Sequence, residues 1–275
     1  MRGAESAEHK MMRRMSKTMV RKMLFAALPI VAGAILALAA PPLRAQTPVT
    51  FKTADGVTIY GAYFAARNSS RPIILLFHQA GANRYEYAPI APRLVALGFS
   101  CLAIDQRWGG KMFGRTNETV RKLGHEETAS DKVEDLEADL GGALAWARNK
   151  YPRRKIILWG SSYSASLVFV IAAEHPGEIA GVLAFSPGEY FQRHPTLVED
   201  AAKQVTVPVF ITSENDADAL ANATKIFDAV ASREKIDYVA KFAVHGSSTL
   251  RQDRNPQGAA TNWRTVAAFL QQFER

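Results

Sequence analysis

Apolar residues recur along this chain in short runs that alternate with segments of helical periodicity. The runs contain few polar residues, which is typical of strands covered on both faces of a parallel sheet. They occupy residues 72–77, 99–104, 155–159, 179–185 and 207–212. Ahead of them, two β-rich segments at 49–52 and 57–64 flank Asp55 and Gly56, a dipeptide that favours a hairpin turn.

Helical patterns fill the intervals between these strands. The clearest spans 131–149, where apolar side chains recur three or four residues apart, at Val133, Leu136, Leu140, Leu144 and Ala147. Asp131 and Glu134 resemble a capping box at its start. Further helices are expected at 86–97, 163–174, 217–231 and 260–273. The alternation predicts an α/β fold of three layers, a mostly parallel sheet flanked by helices, in one domain over 46–275.

The net charge of +8 is concentrated at the start of the chain. Residues 1–45 hold eight Lys and Arg residues against Glu5 and Glu8, so this segment carries +6 and the rest carries only +2. A nearly neutral remainder lacks the basic surface that nucleic-acid binding requires. We therefore expect no nucleic-acid partner.

The basic leader runs into an apolar stretch over 23–40 and then into small residues, the order found in secretory signal peptides. We expect a periplasmic or secreted protein, with cleavage after Ala45 or after Ala39. Pro29 and Gly33 weaken a membrane-spanning helix. An uncleaved signal anchor stays open as the alternative, because the apolar stretch is about as long as the shortest membrane spans.

A strand, a cluster of small residues and a helix surround Ser162. A sharp turn between strand and helix presents one side chain at the sheet edge, and the residues two positions before and after it must be small. Centred on Ser162 these residues are Gly160 and Ser164, whereas centred on Ser161 the first would be Trp159. Ser162 is thus the candidate nucleophile, in a variant pattern with Ser164 in place of the usual second glycine.

On these residues the chain resembles the α/β-hydrolase superfamily, in particular its small, nearly capless dienelactone-hydrolase-like and esterase-like members. The resemblance covers most of 50–275 and implies a catalytic triad in the chain order nucleophile, acid, histidine. By that order Asp216 is the expected acid, with Glu214 and Asp218 as alternatives on the same loop. His245 is the expected base.

The histidine is expected directly after a last strand at 238–244. The chemistry needs the partners because a serine hydroxyl is a poor nucleophile until an imidazole takes its proton. The imidazole in turn needs a carboxylate to fix its tautomer.

The resemblance also implies an oxyanion hole formed by the backbone N–H groups of Ala80 and Tyr163, with Gln79 as the alternative to Ala80. Gln79 stands where the family has a glycine, which makes the backbone of this loop an open question, since glycine adopts positive φ freely. His78 at the start of the loop is expected to have a structural role, as is Cys101, which falls inside a strand pattern.

Two further groups of residues are expected on loops at the same edge of the sheet. Asp105 and Arg107 resemble the family's Asp-x-Arg-Gly loop and are expected to pair. Aromatic and apolar side chains are expected to line a substrate pocket there: Trp108, Met112, Phe113, Tyr190 and Phe191. The stretch 186–206, where many relatives insert a lid, is short, so we expect an open site.

These expectations describe an exported serine hydrolase that acts on a small-molecule ester through an acyl-enzyme, with no metal or cofactor. Hydrolysis of a lactone or of a short peptide by the same triad is the nearest alternative. A non-catalytic exported binding protein with this fold is the other, and it would be indicated by triad residues that lie far apart.

Overall fold

The centre of the fold is a sheet whose inner strands are the apolar runs of the sequence. The computed structural model describes residues 46–67, 69–125 and 133–274, and in this part of the chain the main sheet has eight strands. The strands of the main sheet are Thr47–Lys52 (β1), Thr58–Phe64 (β2), Ile73–Phe77 (β3), Cys101–Asp105 (β4), Ile156–Ser161 (β7), Ile179–Phe185 (β8), Val209–Thr212 (β9) and Lys235–Asp237 (β10). A separate two-stranded hairpin pairs Lys111–Met112 (β5) with Arg115–Thr116 (β6).

The strand order across the main sheet is β1-β2-β4-β3-β7-β8-β9-β10. β2 pairs antiparallel with both β1 and β4, and the pairs from β4 to β10 are parallel. The β1–β2 connection is the predicted hairpin, and Gly56 adopts the positive φ of +88° that its turn requires. Because parallel strands end at the same edge, the loops after β3, β7, β8, β9 and β10 converge there.

Helices cover both faces of the sheet. They are Ala91–Ala96 (α1), Glu118–Leu123 (α2), Val133–Lys150 (α3), Tyr163–Glu174 (α4), Leu197–Ala202 (α5), Ala217–Ala229 (α6) and Ala259–Leu270 (α7). One buried apolar cluster joins one face to α3, α4, α5 and α6, and another joins the opposite face to α1 and α7. Along β3 the side chains alternate between the two clusters. The three-layer α/β prediction is confirmed.

The predicted helix at 86–97 is wrong in its extent. The structure has a 3₁₀ helix at Arg84–Tyr87 and then α1, which begins only at Ala91. Pro89 and Pro92 explain the break, because proline has no N–H to donate and is tolerated only in the first turn of a helix. Pro92 occupies that first turn.

The predicted last strand at 238–244 is also wrong. The strand lies just upstream as β10, and the apolar stretch that follows is a loop. Its backbone is satisfied differently from a strand: the Phe242 carbonyl accepts hydrogen bonds from the side-chain amides of Asn255 (3.1 Å) and Asn262 (2.8 Å). At this carbonyl, side-chain donors replace the strand hydrogen bond that the apolar pattern indicated.

The remaining element predictions agree closely with the structure. The five apolar residues whose spacing predicted a helix at 131–149 are all buried on α3, and Cys101 is buried in β4. Asp131, the predicted capping residue, lies outside the described residues, as does the predicted signal segment 1–45. Among the described helices, none combines the length and apolar character needed to cross a membrane.

Candidate active site

Ser162 lies in a strained turn between β7 and α4. Its φ is +59° and its ψ is −126°, a conformation that side-chain-bearing residues rarely adopt. The turn is held by hydrogen bonds from the Ser162 N–H to the Phe185 carbonyl and from the Ala165 N–H to the Ser162 carbonyl, each 2.7 Å. Such a turn projects its central side chain from the end of the sheet, as the sequence predicted.

The small residues on either side of Ser162 are required by close backbone contacts. A Cβ on Gly160 would lie 2.2 Å from the backbone carbonyl oxygen of Ser164, so no larger residue fits there. Ser164 itself is fully buried, and its hydroxyl donates to the His78 carbonyl at 2.7 Å. The departure from the two-glycine pattern therefore links the nucleophile turn to the loop after β3.

His245 lies against the nucleophile. Its Nε2 is 2.7 Å from Ser162 Oγ, and its Nδ1 contacts a carboxylate oxygen of Glu214. Since the carboxylate can only accept, Nδ1 carries the proton and Nε2 accepts from the serine hydroxyl. The loop 238–244 delivers the histidine to this position without a strand.

The acid on His245 is Glu214, and the expectation of Asp216 is corrected. Asp216 is the N-cap of α6, where its side chain accepts a hydrogen bond from the Ala219 N–H at 3.0 Å. Asp218 lies in the first turn of the same helix. Glu214 is only two residues beyond the end of β9, and its side chain is one methylene longer than that of aspartate, so its carboxylate reaches the imidazole from there.

Charge on Glu214 and His245 is mutually favoured. The hydrogen bond to Glu214 raises the pKa of His245 above its ordinary value, and partial burial opposes this rise. Burial acts to raise the pKa of Glu214, but hydrogen bonds from His245 and Ser186 outweigh it and hold the pKa below its ordinary value. The carboxylate is therefore ionised at neutral pH and stabilises an imidazolium.

Ser186 is a site residue that the sequence reasoning missed. Its hydroxyl donates to Glu214 at 2.6 Å and accepts from the Gly246 N–H at 2.9 Å, so it joins the acid loop to the histidine loop. Ser186 has a positive φ of +59°, directly after β8. A serine that follows an apolar strand at the edge carrying the nucleophile was the available signal.

The loop after β3 has a turn at Gly81 rather than at Gln79. Gly81 has a φ of +66°, Gln79 is not among the described residues with positive φ, and the Ala82 N–H bonds to the Gln79 carbonyl at 3.2 Å. The Gln79 N–H donates to the Glu86 carboxylate at 2.9 Å. Within the described residues the Ala80 N–H makes no hydrogen bond, so it remains available to a ligand and Gln79 does not.

Among the described residues, the Tyr163 N–H is a second backbone donor without a hydrogen-bond partner, beside the nucleophile. It is the first residue of α4, where backbone N–H groups have no partner within the helix. Helix N-termini attract negative charge for the same reason. The Ala80 and Tyr163 N–H groups are thus the two donors best suited to a developing oxyanion.

His78 is buried and neutral. Its Nδ1 bonds to the Gln79 carbonyl at 2.7 Å, and its Nε2 accepts from the Gln106 N–H at 3.0 Å. Burial lowers the pKa of His78 to about 4. These contacts give it the structural role that the sequence indicated.

Asp105 and Arg107 do not pair with each other, contrary to expectation. Asp105 accepts from the backbone N–H groups of Arg84 and Glu118, each 2.7 Å, at the starts of two helices where carboxylates are favoured. Arg107 instead bonds to Asp55 in the β1–β2 turn (2.5 Å) and to Asp139 on α3 (2.9 Å). The Arg84 side chain also pairs with Asp105, so each of the two charges has an ion-pair partner on another element.

A groove of about 350 Å³ opens beside His245. Its lining residues are Gln79, Met112, Phe113, Val244, His245, Ser248 and Arg254. Phe113 forms the tip of the β5–β6 hairpin with a φ of +54°. The hairpin is fixed by Asn83, whose side-chain amide donates to the carbonyls of Gly110, Met112 and Arg115 at 2.9–3.2 Å.

The other aromatic residues expected in the pocket occupy different places. Tyr190 borders the nucleophile: its hydroxyl donates to the Ser186 carbonyl at 2.8 Å, and burial raises its pKa to about 12, opposed by a contact with the Ser162 side chain. Trp108 packs on the Tyr163 ring, with centroids 4.4 Å apart, and does not line the groove. Phe191 is buried in the core.

The chain is similar in sequence to a family model and to curated proteins. The profile of the Hydrolase_4 family, described as serine aminopeptidase, S33, matches residues 68–241. The chain is 26% identical over 147 residues to the quorum-quenching protein AidA of Acinetobacter baumannii (strain MDR-ZJ06), which covers 52% of this chain and 44% of the relative. It is 27% identical over 180 residues to the monoacylglycerol lipase of Mycolicibacterium smegmatis, which covers 64% and 60% respectively. The chain thus spans about half the length of these curated relatives.

The fold is similar to a solved dienelactone hydrolase. The structure of that enzyme from Anabaena variabilis ATCC 29413 superposes with a TM-score of 0.67 at 18% identity, over 84% of this chain and 99% of the other. At this identity the similarity extends to the fold alone.

Proposed function

The chain belongs to the serine aminopeptidase S33 family of α/β-hydrolases, and on that premise we propose that it is a serine hydrolase that cleaves carboxylic esters. The observation that carries the proposal is the unbroken contact chain from Ser162 through His245 to Glu214, with Ser162 in a strained turn. A non-catalytic binding protein would not need this arrangement. The proposed triad is therefore Ser-His-Glu.

The geometry supports the following sequence of steps. Ser162 Oγ attacks the ester carbonyl carbon while His245 Nε2 takes the hydroxyl proton, and the N–H groups of Ala80 and Tyr163 hold the oxyanion. The tetrahedral intermediate collapses, the C–O bond to the alcohol breaks, and His245 returns the proton to the leaving oxygen. Water then attacks the acyl-enzyme by the same route and releases the acid.

Glu214 acts on these steps through His245. It fixes the proton on Nδ1, which leaves Nε2 free to accept, and it stabilises the imidazolium that forms at each proton transfer. The raised pKa of His245 makes it a stronger base, provided that the pH lies above that pKa.

A small ester is the substrate class that the groove favours. Its volume of about 350 Å³ lies near the lower end of small-molecule sites, and apolar Met112, Phe113 and Val244 line it. The similarity to a monoacylglycerol lipase supports ester cleavage as the reaction. The description of the matched family makes an amino-acid arylamide the second substrate class to test.

We also propose that residues 1–45 direct export, as a cleaved signal peptide. The basic leader followed by an apolar stretch and small residues supports this proposal.

The test is covalent labelling combined with substitution of the nucleophile. A fluorophosphonate probe should label Ser162 of the wild-type protein, and Ser162→Ala should lose labelling and reduce kcat on a short-chain aryl ester by about 10⁵-fold or more. Ser232→Ala, at a buried serine on the loop after α6, should leave both unchanged. Labelling of another residue, or full activity in Ser162→Ala, would contradict the proposal.

A further inference from the structure

Glu86 is a fully buried carboxylate that the proposed mechanism does not use. It lies in the 3₁₀ helix Arg84–Tyr87, beneath the loop that follows β3. Its two oxygens accept hydrogen bonds from different parts of the site: the Gln79 N–H at 2.9 Å and the Ser161 hydroxyl at 2.6 Å. The Gln79 side-chain amide makes a longer contact of 3.5 Å.

Ser161 extends this contact to the histidine loop. Its oxygen donates to Glu86 and accepts from the Ser247 N–H at 2.8 Å. The neighbouring Gly246 has a φ of +62°, and a Cβ there would lie 2.2 Å from Ser161 Oγ. The oxyanion loop, the nucleophile turn and the histidine loop are therefore joined at Glu86 and Ser161.

The burial of Glu86 costs folding free energy that a neutral hydrogen-bonding residue in the same place would not cost. Among the described residues, Glu86 has no ion-pair partner within 4.0 Å, and burying an ionised carboxylate without one destabilises the fold. Burial raises the pKa of Glu86 to about 7, and this rise is opposed by the bonds from Ser161 and Gln79.

The charged and titratable groups around Glu86 come from three elements. Arg251, after the 3₁₀ helix Gly246–Leu250, donates to the backbone carbonyls of Tyr85 and Glu86 at 2.8 Å. Its positive charge acts to lower the pKa of the Glu86 carboxylate. His245 precedes that helix, and the negative charge of Glu86 acts to raise its pKa. Tyr87 lies next in the chain, and Tyr163 on α4 is also close enough to interact with Glu86.

We propose that Glu86 is a positioning residue for the oxyanion hole. Its carboxylate engages the Gln79 N–H, so that the next N–H along the loop, that of Ala80, is the one left to face the substrate. Through Ser161 it fixes this loop against the turn that holds Ser162. The two donors reach different oxygens of Glu86, and in a glutamine at this position one of these oxygens is replaced by an NH₂ group that cannot accept, which is why the carboxylate is needed. The inference rests on the proposed hydrolase function.

The primary test compares Glu86→Gln with the wild-type protein. We expect kcat and the rate of fluorophosphonate labelling at Ser162 to fall on the order of 10- to 100-fold, less than the loss of an oxyanion donor outright, with KM changed by less than about threefold. The acid limb of kcat/KM should also move to lower pH, because above about pH 7 Glu86 is ionised and its charge helps to raise the pKa of His245. Glu86→Asp, which keeps the charge, should restore the acid limb and part of kcat.

Two further variants separate positioning from general stability. Asp139→Asn alters another buried carboxylate, on α3, and should leave the labelling rate per folded molecule within about twofold of wild type. Ser161→Ala removes the link from the other side without a change of charge, so it should slow labelling while the acid limb stays in place. If Glu86→Gln does not fold, the labelling rate of Ser161→Ala tests the positioning role by itself.

The outcomes distinguish this inference from the proposed function. If the wild-type protein is not labelled at Ser162, the proposed function fails. If the wild-type protein is labelled and both Glu86→Gln and Ser161→Ala are labelled at the wild-type rate per folded molecule, with an unchanged pH profile, only the positioning role of Glu86 is overturned.

Discussion

Glu214 and Asp216 lie two positions apart on one loop, and their carboxylates contact entirely different groups. Glu214 contacts His245, whereas Asp216 caps α6 through the Ala219 N–H. We expect Glu214→Gln to reduce kcat by about 10³- to 10⁴-fold, because the wrong histidine tautomer becomes available. Asp216→Ala should leave kcat within about twofold and lower the free energy of unfolding by about 1 kcal/mol, the usual effect of a lost N-cap. Steady-state kinetics and urea unfolding of the two variants check this, and the opposite pattern would restore Asp216 as the acid.

The same substitution predicts a shift in pH dependence. His245 accepts a proton only when neutral, so activity rises as the pH increases through its raised pKa. Without the charge of Glu214 that pKa falls, and the acid limb of kcat/KM in Glu214→Gln should move to lower pH. Glu178→Gln is the matched control, since Glu178 lies 3.8 Å from His175, away from the site, and should leave the limb unchanged.

The stability of the Glu214–His245 pair has a defined pH window. The raised pKa of His245 means that its stabilising contribution is full below its ordinary value of 6.5 and is lost as the pH rises through the raised value. The lowered pKa of Glu214 means that its contribution is present above its ordinary value of 4.5 and is lost as the pH falls through the lowered one. The pair therefore stabilises the fold most at mildly acidic pH, below the range where His245 is an active base.

At the residue scale, the sequence predicted the nucleophile at the end of β7 but missed residues whose roles depend on contacts between loops, such as Ser186 at the end of β8. Ser162 follows β7 directly, so its neighbours Gly160 and Ser164 identified it. The choice between Glu214 and Asp216 depends on how a short loop turns after β9, which residue types alone do not specify. The role of Glu86 could not be predicted for a different reason, because a glutamate in a helical pattern is normally expected on the protein surface.

The β5–β6 hairpin is the element that shapes the groove. Its tip residue, Phe113, has a φ of +54°, and its ring lies 4.4 Å from the Arg251 guanidinium and 5.3 Å from that of Arg254. A bulky residue in this conformation is strained, which is common where a side chain is placed for function. We interpret Phe113 as one wall of the ester site.

Two substitutions at this position separate the strain from the function. Phe113→Ala and Phe113→Gly should each raise KM by about tenfold, the equivalent of ~1.4 kcal/mol of lost apolar contact, with kcat nearly unchanged. Phe113→Gly should be more stable than Phe113→Ala by about 1 kcal/mol, because glycine adopts positive φ without strain.

The control for the hairpin is Phe242→Ala. Phe242 is a partly exposed aromatic residue that does not line this groove, so its loss should leave KM unchanged. If Phe113→Ala also keeps the wild-type KM across a series of aryl esters, the hairpin does not contact the substrate.

At the element scale, buried strands were the most predictable features and the edges of the fold the least. The apolar runs at β3, β7 and β8 are covered on both faces, so nothing competes with their strand pattern. The stretch 238–244 has a similar composition but follows the edge strand β10, and the side-chain amides of Asn255 and Asn262 donate to its Phe242 carbonyl. Composition cannot report such side-chain donors from 13 and 20 residues further along the chain.

For the whole molecule, the order of the strands explains why distant loops form one site. The site contains residues 79, 162, 214 and 245, which follow β3, β7, β9 and β10 respectively. These strands belong to the parallel half of the sheet, which runs from β3 to β10. Their loops therefore meet at one edge however far apart they are in sequence. Because parallel strands bring their following loops to one edge, the order of nucleophile, acid and histidine along the chain could predict a common site from the sequence.

The concentration of positive charge in residues 1–45 leads to a prediction about export. Removal of residues 1–45 would take +6 of the +8 net charge and leave a nearly neutral protein. When the full chain is expressed in a bacterial host with a secretion pathway, we expect a mature protein in the periplasmic fraction that begins at Gln46 by intact mass and N-terminal sequencing. Ala45→Phe should block this cleavage, because the residue before the cut must be small. Cleavage unaffected by Ala45→Phe would indicate the site after Ala39, and an uncleaved chain in the membrane fraction would indicate a signal anchor over 23–40.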